Sequence, residues 1–201
     1  MDVKILKEEI NELPVEIFTG EIIVVDEPQK IRPAIDELLK YTVLGFDTET
    51  KPSFKRGISH TVGLIQISTD DVCYLFRLNK IGFPEELDEI FCNPDIKKIG
   101  LSLRDDFAAI RKRSDKRPLN FVDLQQYVLK FGIEDASLQK IYAIIFRKKI
   151  SKNQRLSNWE SPELTSAQQM YAALDAWATL RIYKYLNNLD LNGKVDYKTQ
   201  A

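Results

Sequence analysis

Val43-Leu44-Gly45-Phe46-Asp47-Thr48-Glu49-Thr50 runs an apolar segment straight into two acids. The first four residues read as a buried strand. Side chains alternate between faces along a strand, so Asp47 and Glu49, two apart, point to the same face. Two carboxylates held that close repel each other unless a cation lies between them. A strand end emerging into solvent, with Asp47 as a turn residue, is the competing reading of this octet on its own.

The flanking sequence supplies the sheet around this strand. Ile22-Ile23-Val24-Val25 is a β-branched strand, and Pro28 opens a helix to about residue 40, with Ile31, Ile35, Leu38 and Leu39 at helical spacing. A basic loop over residues 51–60 leads to strands over 62–68 and 72–76, joined by the turn Thr69-Asp70-Asp71. A short helix over 84–91 and a strand over 97–101 follow. Ser102 is the expected cap of a helix running to about residue 113, and Asn120-Phe121-Val122 is a short strand ending at Asp123. Helices over about 124–131, 137–146 and 165–188 close the chain. The order of elements predicts an α/β fold with a mixed sheet and flanking helices. The expected division is a helical lead-in over 1–20, one domain over 21–190 and a tail over 191–201.

Composition narrows the chemistry. The 201 residues fit one domain of about 100–200 residues. Thirty Asp and Glu against 29 Lys and Arg leave a net charge of -1, which excludes a broad polyanion-binding field. Cys73 and Cys92 lack the spacing of a disulfide framework or a structural zinc site. The single histidine, His60, excludes His-rich metal sites and disfavours a Ser-His-Asp triad. Carboxylates are left to carry any chemistry. The first ten residues are too charged for a signal peptide, and no apolar run approaches the roughly 18 residues of a membrane span. The expected setting is cytoplasmic, with no membrane partner.

Two more acids sit where apolar residues are expected. On the helix over 102–113, Phe107 and Ile110 fall within about 40° of Leu103, and Asp106 lies about 60° to one side. First-turn acids complement the helix dipole, which accounts for Asp105 but leaves Asp106 beside the apolar stripe. Tyr171 and Asp175, four apart, share a face of the last helix with Leu174, Ala178 and Ile182. A buried aspartate must be paired or hold a metal; a core tyrosine bonded to a surface aspartate is the competing reading. Ala167, Ala172, Ala173, Ala176 and Ala178 let that helix approach another element closely. Four inward acids with no inward Lys or Arg in the same stripes suit Mg²⁺ or Mn²⁺. Two such cations about 3.5–4 Å apart activate a water and stabilise the leaving oxygen in phosphodiester hydrolysis.

These segments resemble the motifs of the DEDD 3′→5′ exonucleases. Phe46-Asp47-Thr48-Glu49-Thr50 is similar to the first motif, and Gly100-Leu101-Ser102-Leu103-Arg104-Asp105-Asp106-Phe107 to the second. Tyr171-Ala172-Ala173-Leu174-Asp175 is similar to the third in its tyrosine-subclass form. Val62-Gly63-Leu64-Ile65-Gln66-Ile67-Ser68, Cys73-Tyr74-Leu75-Phe76 and Ser157-Asn158-Trp159 resemble the Werner-type and ribonuclease D branches, so the likeness spans residues 21–186. It implies a ribonuclease H-like fold with a five-stranded mixed sheet flanked by helices. It further implies a metal-dependent exonuclease that hydrolyses the terminal phosphodiester and releases nucleoside 5′-monophosphates. Asp47, Glu49 and Asp175 would hold the cation bearing the nucleophilic water. Asp47 would also touch a second cation, on which Asp106 acts through waters, and Tyr171 would orient the attacking water. Many ribonuclease D relatives carry His or Asn shortly before the second-motif acid. Here Ser102 and Leu103 stand there, as in the Werner-type branch, which tilts the expected substrate towards DNA.

The expected partner is a single-stranded or recessed 3′ end of DNA or RNA, held by backbone charge and base stacking. By the same resemblance Thr50 would lie beside the terminal nucleotide, and Phe54 would wedge or stack on it, next to Lys51, Lys55 and Arg56. Arg104 would contact a phosphate or pair with an acid, and Lys152 would track the strand with Arg147, Lys148, Lys149 and Arg155. Solvated charged loops are the competing reading of these runs. Trp159, Cys73 and Cys92 read as core, His60 as a loop residue, and Asp123 as a helix N-cap rather than a fifth ligand. A chain of this length has room for neither a helicase nor an added helical nucleic-acid-binding domain. It is therefore expected to act alone or with a partner protein for processivity. The alternatives are ribonuclease D-like RNA 3′-end processing, a non-catalytic nucleic-acid-binding module on the same fold, and another metal-dependent phosphohydrolase.

Overall fold

The computed structural model describes residues 4–53 and 60–191. The chain opens with α1 (Lys7–Glu12), β1 (Glu21–Val25), a 3₁₀ turn (Pro28–Lys30) and α2 (Ile31–Leu38). β2 (Val43–Thr50), β3 (Val62–Ser68) and β4 (Val72–Arg77) follow. After them come α3 (Leu78–Ile81), α4 (Leu87–Phe91), β5 (Lys97–Gly100), α5 (Leu103–Ile110) and β6 (Phe121–Asp123). The rest is helical: α6 (Leu124–Tyr127), a 3₁₀ turn (Val128–Phe131), α7 (Leu138–Phe146) and α8 (Ser166–Leu191).

One sheet holds the strands in the order β1-β4-β3-β2-β5-β6. β3 pairs antiparallel with β2 and β4, while the outer pairings β1–β4, β2–β5 and β5–β6 are parallel. The sheet thus has six strands, not the five that the family resemblance implies. The additional count is reached because the three-residue β6 pairs at the edge with Lys98, Ile99 and Gly100, and the β-branched β1 closes the other edge.

Every residue of β3 is buried, as a central strand with helices on both faces requires. Leu64, Cys73, Leu75 and Ile99 pack with α7 and α8 on one face. Leu44, Phe46, Ile65, Ile67 and Phe76 pack with α2, α4 and α5 on the other. Phe46 anchors that second layer, with edge-to-face contacts to Phe91 and Phe121 at 5.4 and 5.3 Å. α8 packs against β1 to β5 and against α7. Its approach to β2 depends on Gly45, where a Cβ would collide with the carbonyl oxygen of Ala176.

The lead-in contributes Ile5, Ile10 and Phe18 to the α8-side core. Val15 bridges Lys149. The buried Glu16 carboxylate accepts from the Tyr142 hydroxyl at 2.7 Å, Lys148 Nζ at 2.9 Å and Arg181 Nη1 at 2.7 Å. The one buried charge, that of Glu16, is thereby compensated by two partly exposed cations and a phenol hydroxyl.

Two local expectations change. Ser102 stands at the N-cap of α5 in a left-handed conformation, and its side chain makes no capping bond. The Asp123 carboxylate instead accepts the N–H groups of Ser102 at 3.0 Å, Leu103 at 2.9 Å and Gln125 at 2.9 Å. Asp123 therefore caps α6, as expected, and ties the β5–α5 turn across the sheet as well. The single turn α3 is the other difference; its Leu78 is buried, and Gly82 at φ +69° ends it. Among the described residues no helix is long and apolar enough to cross a membrane.

Candidate active site

Strand β2 and helix α8 bring three acids together. Asp47 and Glu49 project from one face of β2, towards α8, and Asp175 descends from α8 one residue before the Ala176 contact. One carboxylate oxygen from each lies within 4.8 Å of those of the other two. Asp175 is 7% exposed, and its Oδ1 has no hydrogen-bond partner among the described residues. A buried carboxylate oxygen without a donor costs about 1–3 kcal/mol or more, so this arrangement calls for a cation. Three hard oxygen donors at this spacing fit a divalent ion.

The electrostatics agree. Burial pushes the Asp47 carboxyl well above its ordinary range, and the charges of Asp175, Glu49 and Asp106 push it further. Glu49 rises by burial and by the charges of Asp175 and Asp106, with Arg155 opposing. Asp175 rises by burial, opposed by the Tyr171 hydroxyl and the Lys152 charge. Without a cation, such a cluster holds protons that a bound cation would displace.

Asp106 is not one of the three. It sits half-buried on α5 and accepts a hydrogen bond from the Thr48 hydroxyl, on the opposite face of β2 from Asp47. Burial lifts it to about 6, with the Thr48 bond working against the rise. Its charge nevertheless reaches Asp47 and Glu49, which places it at the margin of the cluster.

A cleft of about 320 Å³ opens onto the site, lined by Asp47, Asp175, Tyr171, Lys152, Arg155 and Gln139 among others. Tyr171 is buried, and its ring stacks at a tilt on the fully buried Trp159, centroids 6.0 Å apart. Trp159 is core, as its composition class suggests. Of the expected substrate residues, Lys152 lines the cleft. Thr50 is half-buried at the end of β2, just beyond a register shift at Glu49/Thr50. Arg104 is exposed on the first turn of α5 and does not line the cleft. Phe54, Lys55 and Arg56 lie outside the described residues.

Two contributors escape the sequence reading. The start of α7 forms one wall through Ser137, Leu138 and Gln139, and Gln139 Nε2 donates to the Ile150 carbonyl at 2.6 Å. Helical periodicity carries no sign that this end faces the acids. The other is Gln66, a fully buried amide opposite Asp47 in the sheet register. A polar residue inside the apolar run Leu64-Ile65-Gln66-Ile67 is the signal that finds it.

Comparison with known proteins gives the geometry its family. The family model described as 3′-5′ exonuclease matches residues 22–189. The chain is 35% identical over 154 residues to the bifunctional 3′-5′ exonuclease/ATP-dependent helicase WRN of Mus musculus; the match covers 73% of this chain and 11% of that protein. It is 27% identical over 197 residues to the exonuclease mut-7 homolog of Aedes aegypti, covering 84% of this chain and 27% of that one. The chain thus spans a small part of the length of these relatives. Among solved structures, the Aedes aegypti Nibbler EXO domain superposes with a TM-score of 0.77 at 23% identity, over 90% of this chain and 95% of that one. Escherichia coli RNase D superposes with a TM-score of 0.75 at 20% identity, over 87% of this chain and 46% of that one. These neighbours share the ribonuclease H-like fold. With its acids converging on one cleft and the family model spanning nearly all of the described sheet and helices, the chain belongs to the 3′-5′ exonuclease family.

Proposed function

We propose that residues 21–190 form a metal-dependent 3′→5′ exonuclease of the tyrosine subclass, which hydrolyses the last phosphodiester of a strand and releases nucleoside 5′-monophosphates. The observation that carries this reading is the convergence of Asp47, Glu49 and Asp175 within 4.8 Å. Tyr171 and the cleft lie beside that cluster. Asp47, Glu49 and Asp175 would hold one divalent cation; Asp47 would also touch a second, on which Asp106 acts through waters, Mg²⁺ or Mn²⁺ serving in both places. Bound there, the cations supply acidification of a water and charge neutralisation at the leaving oxygen. Tyr171 is raised further above its ordinary range by burial and by the charges of Asp175 and Glu49. It therefore stays protonated, and orients the attacking water by hydrogen bonding rather than abstracting its proton. Lys152 and Arg155 supply the positive charge facing the acids and would hold the strand's phosphates, with Thr50 beside the terminal nucleotide. Arg104 and Phe54 complete the proposed substrate contacts, Arg104 from the exposed face of α5.

DNA is the favoured substrate, on the similarity to WRN. RNA 3′-end processing is the second reading, supported by likeness to the Trypanosoma brucei RNase D solved with RNA, at a TM-score of 0.75. The deciding experiment is a side-by-side digestion of single-stranded DNA, single-stranded RNA and a recessed duplex with Mg²⁺ or Mn²⁺, scoring released mononucleotides. Wild-type protein should shorten at least one substrate from its 3′ end. Asp47→Ala should abolish release while leaving the fold intact, since it removes a surplus buried acid. Full activity in Asp47→Ala, or in excess EDTA, would overturn the reading.

A further inference from the structure

Gln66 is buried at 0% exposure, and neither its amide nitrogen nor its amide oxygen has a hydrogen-bond partner among the described residues. Each unsatisfied buried group destabilises the fold, and leucine or methionine would fill the same space without that cost. Such a group in a native core needs a reason.

Its surroundings supply one. β3 pairs with β2 so that Gln66 stands directly opposite Asp47, and with β4 so that it stands opposite Leu75. Directly opposed residues of an antiparallel pair project to the same face, with Cβ atoms about 4.5–5.5 Å apart. That face is the one under α8, where the helix contributes buried alanines (Ala172, Ala173, Ala176) to the core. Along β3 the neighbours on this face are Leu64 and Ser68, and the Ser68 hydroxyl already donates to the Thr69 carbonyl. Among these flanking side chains, Asp47 is the one carboxylate, and so the strongest acceptor opposite the Gln66 amide. An amide suits this place better than a lysine, because it orients a carboxylate without neutralising the charge that a cation needs.

We propose that Gln66 is a positioning residue: when a cation draws the carboxylates in, its unpaired amide N–H takes one oxygen of Asp47, leaving the other to face Glu49 and Asp175. The inference rests on the reading of that cluster as a divalent-cation site. Carboxylates that bind metals are commonly steered by such neighbours, and their loss weakens metal binding about 10–100-fold.

The test uses the whole chain and Mn²⁺. Gln66→Met and Gln66→Leu keep the volume and remove the donor. Both should melt at or above the wild-type temperature in EDTA, since a desolvated amide is gone. In calorimetric titration, Mn²⁺ should bind them at least about tenfold more weakly than wild type. The Mn²⁺ concentration for half-maximal cleavage should rise in parallel, and the rate should recover at saturating Mn²⁺. A purely structural glutamine would leave the Mn²⁺ affinity and the half-maximal Mn²⁺ concentration unmoved. Unchanged Mn²⁺ affinity in either folded variant overturns the role of Gln66. Wild-type protein that binds no Mn²⁺ overturns the cation site itself, so the two failures are distinguishable.

Discussion

Tyr171 is held from two sides, its ring against Trp159 and its hydroxyl beside Asp175. Phenylalanine keeps the ring packing and removes only the oxygen. Tyr171→Phe should therefore lower kcat by about 100-fold, the scale of a misoriented nucleophile, with Mn²⁺ affinity close to wild type. Single-turnover digestion alongside calorimetry checks both halves. At this scale much was legible in sequence. The two-residue spacing of Asp47 and Glu49 predicts a shared face, and the four-residue spacing of Tyr171 and Asp175 predicts neighbours on a helix; the structure shows both. Asp106 was legible only as an acid beside an apolar stripe. Its bond to Thr48 joins residues 58 apart, and no local period encodes that.

Helix α8 delivers Asp175, and its seat on β2 is a backbone contact. Gly45 is required there by close approach, since a Cβ would meet the Ala176 carbonyl rather than a side chain that could swing away. Gly45→Ala should destabilise the protein by about 3 kcal/mol, the upper range for overpacking, measured by urea denaturation. Because Ala176 adjoins Asp175, the same change should weaken Mn²⁺ binding by moving that carboxylate from Asp47. The element order is read well from the sequence, because β-branched runs and helical periodicity are local. The β5–α5 turn is not, because its cap is Asp123, about twenty residues away.

The whole molecule carries a net charge of -1, yet Asp47 and Asp175 share one cleft. Two divalent cations bound there would turn the total positive, with the gain concentrated where a phosphate would sit. The metal-free protein should respond to pH accordingly. Asp106 is lifted to about 6 and Asp175 to about 7, mainly by burial. Raised acids bind more protons folded than unfolded, so their contribution falls as pH climbs from the unfolded value through these ones. Glu16 works the other way: burial lifts it, but the bonds from Tyr142 and Lys148 outweigh that and hold it low. Its contribution is lost only below its ordinary range, outside the window. In EDTA the melting temperature should therefore fall between pH 5 and 8. Added Mn²⁺, binding only the folded state, should offset the fall and widen the gap as pH rises. A melting temperature in EDTA that rises across this range would contradict the shifts.

The sequence by itself determined the strands and helices, the face shared by Asp47 and Glu49, and the inward side of α8, because each follows from a repeat of two or 3.6 residues. The tertiary structure decided which of the acids meet. Asp175 joins Asp47 and Glu49 because Gly45 lets α8 down onto β2, while Asp106 turns to Thr48 from the other side of the sheet. It also decided that a glutamine stands opposite Asp47, since strand register is set by pairing across the sheet and not by any period within one strand.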